Sequence, residues 1–136
     1  VGKLMQTLEQ IHDISVTQER RTIAIDTVIP TQARVYADEL EGRRYELERG
    51  LAEPLVAIDS VDGLLLADGH HRVLAADRLG IEQTDAYVLV VDDPVELGMY
   101  RTAKAEGLSG IADIEVLDYA RHPLIERTHR VSKGGS

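Results

Sequence analysis

Apolar residues open the chain at helical spacing: Leu4, Leu8 and Ile11, with Met5 beside them, predict a short helix over residues 3–14. Thr17 to Arg21 is polar and without period, so residues 1–21 read as a helix and a linker. Thr22-Ile23-Ala24-Ile25 is β-like and leads into a loop, because Pro30 lacks a donor and holds Ile29 extended. Leu40, Leu47 and Leu51 fall near one face of a second helix, 38–49, which Gly50 ends. Pro54 to Ile58 and Leu64 to Ala67 flank an Asp62-Gly63 turn and predict a hairpin. Helical composition resumes over 70–79 and stops at Gly80, and Thr84 to Val91 reads as a buried strand. Asp93-Pro94 has the chemistry of a cap followed by a first helical residue, so 94–106 is expected to be a helix closed by Gly107. A last short helix is expected at about 110–120. The order β-α-β-β-α-β predicts an α+β domain, a small mixed sheet with helices packed around it. The stripe of Val95, Tyr100 and Ala103, with Leu97 and Met99 nearby, is expected to pack on that sheet, a dimer face being the alternative.

Composition narrows the function classes. The 136 residues favour one domain, which buries roughly two-thirds of its unfolded surface. With five Tyr but no Phe and no Trp, the core must be aliphatic. The absence of Cys removes disulfide scaffolds, thiolate metal sites and thiol catalysis, and it fits a reducing cytoplasm. Fifteen basic against twenty-four acidic residues give a net charge of -9, which opposes unaided binding to DNA. No apolar run has the length of a membrane span and no secretory pattern opens the chain, so a cytoplasmic protein is expected. Residues 22–92 are taken as the core, 93–126 as a helical extension and 127–136 as a frayed tail. Arg121, His122, Arg127, His129 and Arg130 form a local basic cluster that either meets nucleic acid or balances an acidic body.

The chemistry concentrates in Asp68-Gly69-His70-His71-Arg72, at a predicted strand-to-helix junction. First-turn amides of a helix lack partners and favour anions, so Gly69 permits close approach of a phosphate and Arg72 supplies a fork for it. Asp68 is placed to hold a divalent metal, cap the helix or accept a proton, and His70 or His71 to donate to a phosphoryl oxygen. The alternative is structural: Asp-Gly before a helix also serves as a plain turn and cap. Adjacent histidines point in different directions on a helix, which disfavours a histidine zinc site. Arg43 and Arg44 with Glu39, Glu46 and Glu48 read as a solvated, salt-bridged helix face.

From Ile23 to Val91 the chain resembles the ParB/sulfiredoxin-like superfamily. The resemblance is carried by the opening strand with Ile29-Pro30, by Gly50-Leu51-Ala52-Glu53-Pro54-Leu55-Val56, by Asp68 to Arg72 and by Leu79-Gly80. Sulfiredoxins have a cysteine where this chain has His70, so that activity is excluded. Chromosome-partition ParB proteins show Gly-Glu-Arg-Arg and a following helix-turn-helix, and the roughly 45 residues after this core are expected to be too few for one. Asp-Gly-His-His-Arg is most similar to the ParB-like free serine kinases. That resemblance implies Asp68 on Mg²⁺ or on the acceptor hydroxyl, with Gly69, His70, His71 and Arg72 on the phosphates of ADP, ATP or CTP. It also places Gly50, Glu53 and Pro54 beside the nucleotide.

One departure matters. Those kinases carry a catalytic glutamate after the first-loop proline, where this chain reads Pro30-Thr31-Gln32-Ala33-Arg34. An amide takes no proton, so Glu39 or Glu53 substitutes, or no base is needed, or the nucleotide is bound without transfer. Gln32 and Arg34 are expected at the pocket, a solvent-facing arginine being the alternative. The expected function is Mg²⁺-dependent phosphoryl transfer to a small hydroxyl-bearing metabolite, or nucleotide hydrolysis, with Asp68, His71 and Arg72 catalytic. The alternatives are a non-catalytic nucleotide-sensing or partition module, with self-association open, and a ParB-like nuclease.

Overall fold

The computed structural model describes residues 2–12, 15–91 and 98–117. In chain order the elements are α1 (Gly2–His12), β1 (Val16–Ala24), a 3-10 turn (Ile25–Thr27), β2 (Val28–Pro30), β3 (Arg34–Tyr36), α2 (Ala37–Glu48), β4 (Leu55–Ser60) and β5 (Gly63–Asp68). Then follow α3 (His70–Arg78), β6 (Gln83–Val91), α4 (Gly98–Ala105), a second 3-10 turn (Ile111–Asp113) and β7 (Glu115–Leu117). Five strands form a mixed sheet in the order β1-β6-β4-β5-β2, and β3 pairs with β7 in a small parallel sheet. The fold class is α+β, as the periodicities predict.

Alternation in the central strands builds two cores at once. Leu55 and Ala57 of β4, Leu66 of β5 and Ala86 and Val88 of β6 pack with Val73 of α3 on one face. Ile58, Leu65, Leu89 and Val91 meet Leu8 of α1 on the other, with Met99 and Tyr100 of α4 against the same cluster. The α4 stripe is therefore core as far as it is described; Val95, Leu97 and the Asp93-Pro94 cap lie outside the described residues. A third cluster, Val35, Leu40, Leu74, Ala75 and Ile114, ties α2 and α3 to the small sheet.

Three expectations are corrected. Thr17 to Arg21 is strand, not linker: β1 pairs antiparallel with β6 from Val16 to Ala24. An edge strand has one neighbour and exposes polar residues on both faces, so it lacks the alternation that marks a half-buried strand. Its charges are answered across the sheet, Arg20 by Asp85 at 2.7 Å and Arg21 by Asp59 at 2.9 Å. The segment after Ile25 is not all loop either, since Val28–Pro30 pairs parallel with Leu64–Leu66 at the opposite edge, where a proline sacrifices no ladder donor. The expected helix at 110–120 is a 3-10 turn followed by β7, so the 93–126 extension is not wholly helical; residues 118–120 and the basic cluster beyond lie outside the described residues. Asp113 causes the change: its Oδ2 accepts the Ser109 and Gly110 amides and the Ser109 hydroxyl, closing a turn that delivers Glu115–Leu117 onto β3. Among the described residues no helix is long and apolar enough to cross a membrane.

Candidate functional site

The site grows from the end of β5. Asp68 is the last strand residue, Gly69 turns the chain at φ +105°, and α3 starts at His70. A Cβ on Gly69 would lie 2.5 Å from Leu55 Cδ2, so the turn requires glycine both for its dihedral and for its space. No side chain caps the helix: Gly69 contributes only its carbonyl, to the amide of Val73 at 2.8 Å. The other amides of the first turn have no intrahelical acceptor by construction.

Arg72, in that first turn, is held with only 12% of its side chain exposed. Its Nη1 donates to the Pro54 carbonyl at 3.1 Å and its Nη2 to Asp68 Oδ2 at 3.0 Å, while Glu53 Oε2 lies 3.8 Å from Nη1. The arginine thus pins the loop before β4 to the start of α3.

The two histidines anchor the first loop. His70 is buried, and its Nε2 accepts the Thr31 amide at 3.0 Å. Burial lowers its pKa from the ordinary 6.5 to about 4; nearby Asp68 opposes the shift and His71 adds to it. Neutral and committed to a backbone donor, His70 is a structural tie between β2 and α3. The Thr31 hydroxyl strengthens the same seam by donating to the Leu66 carbonyl at 2.6 Å. His71 Nε2 accepts the Tyr36 amide at 3.0 Å and also lies 3.1 Å from Glu39 Oε2. One nitrogen whose lone pair faces an N–H cannot also donate to a carboxylate. The Tyr36 amide takes that lone pair, and the Glu39 oxygen is a close neighbour of the same nitrogen.

These groups line a cleft of about 490 Å³ with Gln32, Glu39, Arg43, Glu46, Leu51, Glu53 and Ala67. Sequence reasoning placed Asp68, Gly69, His70, His71, Arg72, Glu53 and Gln32, and all seven meet there. Gly50 and Pro54 instead line a smaller hollow of about 220 Å³, with Arg20 and Asp85; Pro54 meets Arg72 through its carbonyl. Arg34 is turned away as well: it is exposed, pairs with Glu115 across β3 and β7 at 3.7 Å, and lines other hollows. The Gln32 amide donates to the Arg34 carbonyl. Arg43 and Glu46 form their expected ion pair at 2.6 Å, yet that pair walls the cleft, which the spacing along α2 alone could not reveal.

No family model matches the chain. A curated relative, the uncharacterized protein MJ0188 of Methanocaldococcus jannaschii, is 41% identical over 102 residues, which are 74% of this chain and 38% of the relative. The chain therefore spans about two-fifths of that protein's length. The crystal structure of Atu1540 from Agrobacterium tumefaciens aligns over 88% of this chain and 70% of that one, with TM-score 0.59 and 20% identity, so the two share a fold. A Pnob8-like ParB-N domain overlaps 57% of this chain and 32% of that one at 17% identity and TM-score 0.47, an overlap too partial to weigh. The fold is the α+β fold that this chain shares with Atu1540. In this chain the cleft lies between the α3 N-terminus, α2 and the loop before β4.

Proposed function

We propose that the cleft binds a nucleotide with Mg²⁺ and transfers its terminal phosphoryl group to a small hydroxyl-bearing acceptor or to water, in a cytoplasmic setting. The observation that carries this reading is the α3 N-terminus. It has no side-chain cap, opens into the cleft, and holds a largely buried arginine in its first turn. Phosphates against the amides of 70–72 and Arg72 gain the electrostatic stabilisation that phosphoryl transfer requires. Among the described residues no group of three His, Cys, Asp or Glu side chains is arranged for a metal. That suits Mg²⁺, which takes one or two carboxylates and completes its shell with phosphate oxygens and water. Asp68 is the carboxylate beside the turn. Glu39, facing the same cleft, is a carboxylate able to take the acceptor's proton where Gln32 offers only an amide.

The second reading, a non-catalytic nucleotide-binding module, draws on Gln32, whose amide is spent on the Arg34 carbonyl. A thermal-shift screen of ATP, ADP, CTP and GTP, with and without Mg²⁺, on wild type and Arg72→Ala tests both. The expected result is a nucleotide-specific rise in Tm that the substitution abolishes. The unliganded Tm of the variant shows how far loss of Arg72 and its contacts with Pro54 and Asp68 weakens the fold. No shift with any nucleotide would overturn the reading, and binding without turnover would leave the module.

A further inference from the structure

We infer that Arg72 and Asp68 form an exchange pair: an arriving phosphate takes the Arg72 guanidinium from Asp68, and the released carboxylate joins the phosphate oxygens in holding a divalent cation. This rests on the nucleotide reading above and deepens it.

The asymmetry of the pair says which partner moves. Arg72 is largely buried and its Nη1 stays tethered to the Pro54 carbonyl, whereas Asp68 is 72% exposed at the end of β5. Asp68 can therefore turn to solvent or to a cation without disturbing the core. The guanidinium also lies close against the Gly69 backbone, since a Cβ there would stand 3.3 Å from Arg72 Nε and 3.4 Å from Nη2, so it sits beside the first-turn amides of α3 that a phosphate would meet. A contact between Arg72 and a well-exposed carboxylate is a weak, screened one, while a phosphate adds a bidentate fit and the α3 amides, so the exchange runs toward the ligand.

The cation follows from the same geometry. Among the described residues there is no three-ligand cluster, and Asp68 Oδ2 is engaged by Arg72, so on this proposal the phosphate's arrival frees the carboxylate for the cation. Anion and cation binding are then positively linked, each preparing the place of the other.

The exchange predicts a reversal of sign. Removing the Asp68 charge frees Arg72 in advance, which helps a metal-free nucleotide, but deletes a cation ligand, which harms the metal complex. Isothermal titration of ATP and CTP into wild type and Asp68→Asn, in EDTA and in excess Mg²⁺, reads both. The expected result is affinity raised about three- to tenfold in EDTA and lowered by a similar factor in Mg²⁺. Glu53→Gln is the comparator: Glu53 is 86% exposed and 3.8 Å from Nη1, so its loss acts through charge alone and moves both affinities upward. Circular dichroism confirms that the near-isosteric Asp68→Asn folds. A change of one sign in both buffers, or none in either, overturns the exchange while leaving nucleotide binding intact. If wild type and variant bind neither nucleotide in either buffer, the nucleotide reading falls and the exchange with it.

Discussion

His70 illustrates how a residue chosen by its chemistry is assigned a role by its surroundings. In the chain it stands in a run of groups suited to phosphate, but folding buries it and commits Nε2 to the Thr31 amide. Its depressed pKa makes the role measurable. The unfolded histidine takes a proton near 6.5, whereas the folded one resists until about 4. The contribution to stability is therefore complete above pH 6.5, declines as pH falls from there toward 4, and is exhausted below. A shift of this size corresponds to at most about 3 kcal/mol. Denaturant unfolding of wild type and His70→Gln between pH 7.5 and 4.5 is the measurement. Gln accepts the same amide hydrogen without titrating, so wild type is expected to lose more stability than the variant across this window. Parallel pH dependences would show that His70 is protonated as readily in the folded chain as in the unfolded one. His71 and Glu39 show the limit of reading residues in a line: 32 positions separate them, and only the packing of α2 on α3 sets them 3.1 Å apart.

At the scale of elements, legibility followed burial. The hairpin of β4 and β5, the buried β6 and helices α2 and α3 lie within a residue or two of where period and turn chemistry put them, because each carries an apolar pattern or an Asp-Gly or glycine stop. The Thr17–Arg21 part of β1, β2 and β7 were not legible, although the end of β1 at Thr22–Ala24 was read as strand. β1 is polar on both faces at an edge, β2 is a three-residue strand ending in proline, and β7 depends on a partner 81 residues earlier in its register, Arg34 with Glu115. The site divides the same way, since the Asp68–Arg72 turn is local and readable while the α2 wall is a product of tertiary packing. β7 also carries a prediction. Its delivery onto β3 depends on Asp113, whose carboxylate accepts three hydrogen bonds and is thereby held below the usual carboxylate range. Asp113→Ala should raise amide hydrogen exchange at residues 115–117 and at Val35 and leave β4 to β6 unchanged; equal protection in variant and wild type would place the hold on β7 elsewhere. The sign with pH is that of a depressed acid: the contribution is present above the ordinary carboxylate value and is lost as pH falls through the lower folded one.

For the molecule as a whole the governing quantity is charge. A net -9 repels a phosphate backbone unless basic groups gather on one face. In the described residues the arginines are largely answered by carboxylates: Arg20 by Asp85, Arg21 by Glu19 and Asp59, Arg34 by Glu115, Arg43 by Glu46, Arg44 by Glu48 and Arg72 by Asp68. Such pairs dot both the sheet edge and α2, so they form no stripe along which a duplex gains affinity by releasing counterions. A single nucleotide asks less. Bound as proposed, it would bring its phosphates to the largely buried Arg72 and the α3 N-terminus, and its cation would offset the surrounding Glu39, Glu53 and Asp68. The ParB-like nuclease reading and the nucleotide reading thus separate on electrostatics. Supercoiled plasmid incubated with the protein and Mg²⁺ or Mn²⁺ is expected to remain supercoiled, and a short duplex to run unretarded at near-physiological salt. Nicking that requires metal and disappears in Asp68→Asn would reverse the conclusion and make the cleft a phosphodiester site. Retardation without nicking, falling steeply with added salt, would point to the basic residues between Arg121 and Arg130 and leave the cleft to the nucleotide.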